Sequence, residues 1–167
     1  MVMRLRRLEA GETDLLKEFV YEAIFIPEGA EAPPREITDR PELKLYYADF
    51  GAGRADCGIV AEDDGRPVGA AWARIMQDYG HVDGDTPSLA IALYKDYRGQ
   101  GIGTRMLEAM LQLLREKGFE RVSLAVWKEN YAVRIYEKAG FRITGENEHE
   151  YIMIRELGTH CLQTEQK

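Results

Sequence analysis

Three glycines in five positions, Gly99, Gly101 and Gly103, lie in the stretch 98–104, RGQGIGT, between the apolar run 89–94 and a helix-like segment that ends near Lys117. Glycine loses more backbone freedom on folding than any other residue, so a local demand must keep three of them together. A glycine-rich turn from a strand into a helix N-terminus is a physical anion site. The unpaired amides of the first turn point outward, the helix dipole favours negative charge, and no Cβ holds a phosphate off the backbone. Spacing then separates the phosphate loops. A mononucleotide loop needs four residues between glycines and then Gly-Lys-Ser/Thr, whereas Arg105 follows Gly-Ile-Gly-Thr here. The dinucleotide fingerprint needs a glycine where Thr104 or Met106 stands, and it should follow the first strand of a βαβ repeat. Both patterns fail, and a tight turn without a ligand is the plain alternative.

Downstream, the segment 125–141, AVWKENYAVRIYEKAGF, runs from a strand into Asn130, then a helix carrying Tyr136, then Gly140 and Phe141. The glycine loop satisfies Arg/Gln-x-x-Gly-x-Gly/Ala through Arg98, Gly101 and Gly103. With the Asn/Tyr segment one helix and one strand later, the chain resembles the GCN5-related N-acetyltransferase (GNAT) family from near its first strand to near its last. The resemblance implies acetyl-coenzyme A as cosubstrate and no metal. It implies that amides of Arg98, Gly99, Gln100, Gly101, Ile102, Gly103 and Thr104 hold the pyrophosphate. It also implies that the backbone of Ile91, Ala92 and Leu93 pairs with the pantetheine arm as an added strand would, between two splayed central parallel strands.

Further roles follow from the same resemblance. The Leu93 amide would polarise the thioester carbonyl and stabilise the tetrahedral oxyanion. Asn130 would hydrogen-bond coenzyme A, and it is equally suited to cap the following helix. Tyr136 would contact the cofactor and act as general acid for the departing thiolate, its plain alternative being packing on Ala132 and Ala139. A phenol near pKa 10 facing a thiol near 8.5 makes full proton transfer uphill by roughly 2 kcal/mol, small enough for a developing hydrogen bond to help. The base stays open, because the strand 88–94 carries no carboxylate. Glu62, His81, Asp83, Asp85 and a water chain are the candidates, and none stands out from solvated surface residues. The implied reaction is acetyl transfer to a primary amine of a small molecule or peptide by direct attack. A non-catalytic coenzyme A sensor and a binder of another phosphate are the competing classes, and an intact Tyr136 favours turnover. A homodimer is compatible with the family.

These residues need positioning elements. A first strand (MRLRRL) precedes a helix with Thr13 as N-cap and an apolar stripe of Leu15, Leu16, Phe19, Val20 and Ala23. A proline-rich loop follows, then a second helix over 41–50 with Pro41 in its first turn. Two strands form a hairpin turning at Gly65. After the polar connection 77–88 comes a strand over 89–94, apolar enough for burial on both faces. The helix 103–117 carries Met106, Leu107, Met110, Leu111 and Leu114 on one face and stops at Gly118. A strand (RVSLAVW), a helix between Asn130 and Gly140, and two strands close the pattern. The expected fold is mixed α/β: a central six- to seven-stranded mixed sheet flanked by four helices, as one domain over 1–157 with a polar tail over 158–167. Trp127 is a candidate wall residue of the acceptor site, and Trp72 reads as core.

The 167 residues carry a net charge of −7, which argues against nucleic-acid binding and suits a cationic small substrate. No apolar run approaches the ~20 residues of a membrane span, and the start MVMRLRRLEAGE lacks a signal's apolar stretch. Two distant cysteines, Cys57 and Cys161, fit reduced thiols in a cytoplasmic protein.

Overall fold

The computed structural model describes residues 3–158. Strand β1 (Met3–Arg7) pairs antiparallel with β2 (Cys57–Asp63). Between them run α1 (Thr13–Ala23), a 3-10 turn (Arg35–Asp39) and α2 (Pro41–Lys44). The N-cap of α1 is Glu12, so Thr13 is the first helical residue and not the cap. Glu12 earns that place through contacts across the strand: Arg6 donates to it at 2.7 and 2.8 Å, and the Glu9 amide at 2.8 Å. Helix α2 is far shorter than expected. Trp72 Nε1 donates to the Tyr46 carbonyl at 2.9 Å, the acceptor that a continuing helix would give to the amide of Phe50.

Strand β2 turns into β3 (Arg66–Arg74) through Asp64 and Gly65 at φ 50° and 82°, the paired positive-φ geometry of a two-residue hairpin. Then follow β4 (Ser88–Leu93), a 3-10 turn (Lys95–Tyr97), α3 (Ile102–Glu116), β5 (Arg121–Trp127), α4 (Ala132–Lys138), β6 (Arg142–Glu146) and β7 (Glu150–Glu156). The strands make one seven-stranded sheet in the order β1-β2-β3-β4-β5-β7-β6, antiparallel except at β4–β5. The helical crossover through α3 dictates that parallel pair. The mixed sheet and four helices expected from the sequence are therefore present.

Each face of the sheet has its own core. Helix α3 lays Met106, Leu107, Met110, Leu111 and Leu114, the whole expected stripe, against Ile59, Ala71, Val122 and Leu124. Helix α1 covers the other face with Leu16, Phe19 and Val20 against Ala70, Trp72 and Ala92. Burying one such large side chain contributes about 1.5–3 kcal/mol. Trp72 is fully buried, the core role expected of it. Helix α3 begins one residue earlier than expected and closes at Gly118, φ 89°. Cys57 is a free thiol, while Cys161 and residues 159–167 of the expected tail lie outside the described residues. Among the described residues no helix is long and apolar enough to cross a membrane.

Candidate active site

The sheet has a seam at its centre. Strands β4 and β5 share a single register pair, Ser88 with Ser123, where the Ser123 amide donates to the Pro87 carbonyl at 3.0 Å. Beyond that rung the strands diverge. On its other side β4 pairs with β3 along its whole length, and the Tyr94 amide donates to the Val68 carbonyl at 3.0 Å. Bonded and unbonded positions alternate along an antiparallel pair. Ala90 and Ala92 therefore turn their peptide groups to β3, and Ile91 and Leu93 turn theirs into the seam. Of the three residues expected to pair with pantetheine, Ile91 and Leu93 turn their backbone groups to the seam and Ala92 turns its own to β3. The expected two-sided burial of β4 also gives way here, since Ala90 and Ile91 stay partly exposed in mid-sheet.

The seam opens toward the glycine loop. Gly99 and Gly101 hold φ 75° and 81°, left-handed conformations that need glycine, and a Cβ on either would meet nothing within 4 Å. Gly101 is the N-cap of α3, with no side chain capping that end. The Arg105 amide reaches the Gly101 carbonyl at 3.2 Å, which leaves the amides of Ile102, Gly103 and Thr104 as the orphan donors of the first turn. The Arg98 side chain braces this loop: Nε donates to the Leu93 carbonyl at 3.0 Å and the guanidinium to the Glu22 carbonyl at the end of α1 at 3.2 Å. Gln100 folds back onto the Asp96 carbonyl at 3.0 Å. Open space before two left-handed glycines, next to three free amides, fits a diphosphate.

On the α3 side of the seam stands α4. Asn130 Oδ1 accepts the Ala132 amide at 2.9 Å, so its oxygen serves the helix start, while its side-chain NH2 has no partner among the described residues. The formal N-cap is Tyr131, one residue later than expected. Tyr136 packs its ring into the core, 5.7 Å from Phe141. Its hydroxyl has no hydrogen-bond partner among the described residues. Burial pushes this phenol above its ordinary value, which keeps it protonated.

The α1 side of the seam holds a group that the sequence did not single out. Asp78, in the loop between β3 and β4, accepts Ser88 Oγ at 2.9 Å and the Tyr46 hydroxyl at 3.0 Å. Burial pushes its carboxyl up, and its hydrogen bonds pull the other way. The same loop presses onto β5 at Gly80, where a Cβ would come within 3.1 Å of the Ala125 amide nitrogen and the Leu124 carbonyl carbon. Glu150 is the register partner of Trp127, and burial together with the charge of Asp78 raises its carboxyl as well. Trp127 stacks on His149 at 5.1 Å and tilts against Phe25 at 5.7 Å, as a wall would.

Of the earlier base candidates, Glu62, Asp83 and Asp85 sit elsewhere in ion pairs, and His81 lies on the Asp78 loop. Glu62 is held below the usual carboxylate range by Arg6 at 2.8 Å, with Arg4 at 3.2 Å, on a strand two removed from the seam. Asp83 pairs with Arg121 and receives the Asp85 amide, and Asp85 lies exposed beside Arg54 at 2.8 Å. His81 Nδ1 is buried without a partner among the described residues, and Nε2 lies 3.3 Å from the Gln77 side chain. Among the described residues no group of three or more His, Cys, Asp or Glu is placed to hold a metal ion.

The chain is similar to known proteins in sequence and in fold. The model of the acetyltransferase (GNAT) family matches residues 20–141. The chain is 37% identical over 118 residues to the spermine/spermidine N(1)-acetyltransferase of Bacillus subtilis (strain 168), covering 68% of each protein. It is 29% identical over 116 residues to N-acetyltransferase family 8 member 3 of Mus musculus, covering 69% of this chain but 50% of that protein. Two solved structures share the fold. The ribosomal-protein-S18-alanine N-acetyltransferase from Escherichia coli superposes with a TM-score of 0.66 at 19% identity, over 94% of this chain and 95% of that one. The PaiA N-acetyltransferase from Thermoplasma acidophilum, in complex with coenzyme A, gives 0.65 at 18% identity, over 93% and 99%. With a family match over residues 20–141 and a relative 37% identical over two thirds of each protein, the chain belongs to the GNAT family and is an acyl-coenzyme A-dependent N-acetyltransferase.

Proposed function

We propose that the protein transfers the acetyl group of acetyl-coenzyme A to a primary amine of a small cationic acceptor by direct attack. The observation that carries the reading is the single-rung seam, with the Ile91 and Leu93 amides along one edge and the free amides of α3 at its mouth. The cosubstrate supplies an activated acyl group as a thioester. The amides of Ile102, Gly103 and Thr104, with the loop from Arg98 to Gly101, bind the diphosphate. Ile91 and Leu93 orient the arm as a neighbouring strand would, and the Leu93 amide donates to the developing oxyanion. The NH2 of Asn130 is free to hold an amide or phosphate oxygen. Tyr136, kept protonated by burial, donates its hydrogen bond to the leaving sulfur. The acceptor approaches from the α1 side. The charge of −7 favours a cation, and the Bacillus relative named for spermine and spermidine makes polyamines the first acceptors to assay.

Calorimetric titration with acetyl-coenzyme A and thiol release against a panel of amines test the reading. Binding followed by amine-dependent thiol release is expected, with Tyr136→Phe lowering kcat by about tenfold to a hundredfold. No acetyl-coenzyme A binding at low salt refutes the assignment. Binding without turnover on any amine supports a sensor instead, and equal turnover by Tyr136→Phe removes only the acid.

A further inference from the structure

An amine nitrogen that has bonded to an acyl carbon carries a positive charge and must lose a proton before the C–S bond breaks productively. The group that takes it belongs on the face from which the amine arrives. Alternation along the strands identifies that face. In β5, Val122, Leu124 and Val126 point into the α3-side core, so Ser123, Ala125 and Trp127 point to the α1 side. In β4, Ala92 packs in the α1-side core and Ala90 lies against it, so Ser88 shares their side. The two strands bordering the seam thus turn alanines 90, 92 and 125 to this face; Ala92 is covered by α1, and the partly exposed Ala90 and Ala125 floor a trough of small side chains. Trp127, with Phe25 and His149, stands at one end. At the other, over the one rung that joins the strands, stands Asp78 on Ser88.

We propose that Asp78 is the proton acceptor for the incoming amine and that Glu150 is the second carboxylate that draws a cationic acceptor into the trough. This rests on the acetyl-transfer reading above and adds the group that β4 itself does not carry. The acceptor ammonium gives one proton to solvent. The nitrogen lone pair then forms the N–C bond to the acetyl carbon, and the proton that nitrogen sheds passes through solvent in the seam to an Asp78 oxygen, because the Ser88 that Asp78 holds lies five residues along β4 from the Leu93 amide. The C–S electron pair leaves with sulfur, which receives a proton from Tyr136, and solvent restores both side chains. Tyr136 on the α3 side and Asp78 on the α1 side put acid and base on opposite faces of the sheet, with the reacting carbon in the seam between.

The surroundings of Asp78 suit the task. Tyr46 faces it from the turn after α2, Ser88 from β4, His81 from its own loop and Glu150 from β7. No lysine or arginine pairs with it among the described residues, unlike Glu62, Asp83 and Asp85. The two hydroxyl donors favour its ionised form, against the larger effect of burial. The burial that raises its pKa makes it a stronger base than a solvated carboxylate. Tyr46 is itself fixed from behind by fully buried Trp72 through its carbonyl, so Tyr46 is a positioning residue.

The test is steady-state kinetics with acetyl-coenzyme A and spermidine or another amine the wild type accepts, across pH, with acetyl-coenzyme A affinity measured separately by calorimetry. Asp78→Asn is expected to lower kcat by at least about a hundredfold and to abolish the acid limb of kcat/KM. Its acetyl-coenzyme A affinity should stay within about twofold of wild type, since the substitution is remote from the glycine loop. Glu150→Gln should raise KM for the amine by about fivefold with little change in kcat. Tyr46→Phe removes a hydrogen bond that holds the Asp78 pKa down, so it should move the acid limb to higher pH, a shift that a packing role alone would not produce. Asp78→Asn with kcat within about threefold of wild type overturns the proposal. If that variant does not fold, a Tyr46→Phe protein with an unmoved acid limb overturns it equally. A wild type that binds acetyl-coenzyme A but acetylates no amine refutes the transfer reading itself, a result distinguishable from either.

Discussion

Gly103 is the sharpest test of what the glycine loop is for. Unlike Gly99 and Gly101 it has no positive φ, and a Cβ there would meet only Leu93 Cδ1, at the ordinary distance of 3.8 Å. Nothing in the protein's own packing requires glycine in this first turn of α3. Alanine should therefore stabilise the fold, by about 0.5–1 kcal/mol from helix propensity and unfolded-state entropy. For a domain of this size that is a rise in Tm of roughly 1–4 °C. The loop pattern admits Gly or Ala at this position, so Gly103→Ala should be more heat-stable and keep its acetyl-coenzyme A affinity within about twofold. A branched side chain is different: in Gly103→Val the added bulk would stand where a phosphate approaches the amides of Ile102, Gly103 and Thr104. Losing one good charge-assisted contact of about 1.5–3 kcal/mol weakens acetyl-coenzyme A binding by at least about tenfold. Thermal unfolding without ligand, beside calorimetry with acetyl-coenzyme A, reads both numbers. Gly101→Ala is the contrast, since forcing φ 81° on alanine costs about 1–2 kcal/mol and should lower Tm before any ligand is added. A Gly103→Val protein that keeps full affinity would refute the reasoning, because no phosphate would then approach this turn of α3.

Two further outcomes follow from side-chain environments. Burial pushes the Cys57 thiol up to about 11, so in a Cys161→Ser background its alkylation at pH 8 should be about a hundredfold slower than that of a free thiol, measured by mass spectrometry over time. Arg6 holds the carboxyls of both Glu12 and Glu62 below their usual range. With folded pKa values depressed, their stabilisation is present above about pH 4.3 and fades as pH falls through the folded values. Arg6→Met should accordingly lower Tm more at pH 7 than at pH 4, and an equal loss at both would contradict the assignment.

The glycine loop, α3, the hairpin at Gly65 and the Asn130–Tyr136 segment were legible in the sequence because each is specified locally, by spacing, periodicity or turn chemistry. Their errors are those of local reasoning. Thr13 looked like the cap because its hydroxyl suits one, but Arg6 on a neighbouring strand selects Glu12. Helix α2 stops early as the amides of Tyr46 and Tyr47 turn to the carbonyls three residues back, and Trp72, far along the chain, holds the Tyr46 carbonyl of that turn. Asp78 escaped for the same reason. It is one of three aspartates in a polar connection, and only Tyr46 and Ser88, from two other elements, separate it from Asp83 and Asp85. Gly80, which tucks that loop against β5, is the one local trace of its placement.

The single rung at Ser88 and Ser123 makes the sheet two half-sheets, β1–β4 and β5–β7–β6, with backbone continuity between them close to its minimum. A molecule whose amides bond along the seam completes the ladder that the chain leaves open, and so becomes a part of the fold as well as its substrate. At a concentration a hundred times its Kd, such a stitch adds about 2.7 kcal/mol to the stability of the native state. Resistance to unfolding and to proteolysis would then rise and fall with the supply of acetyl donor, and the protein's lifetime would report the metabolic state it draws upon.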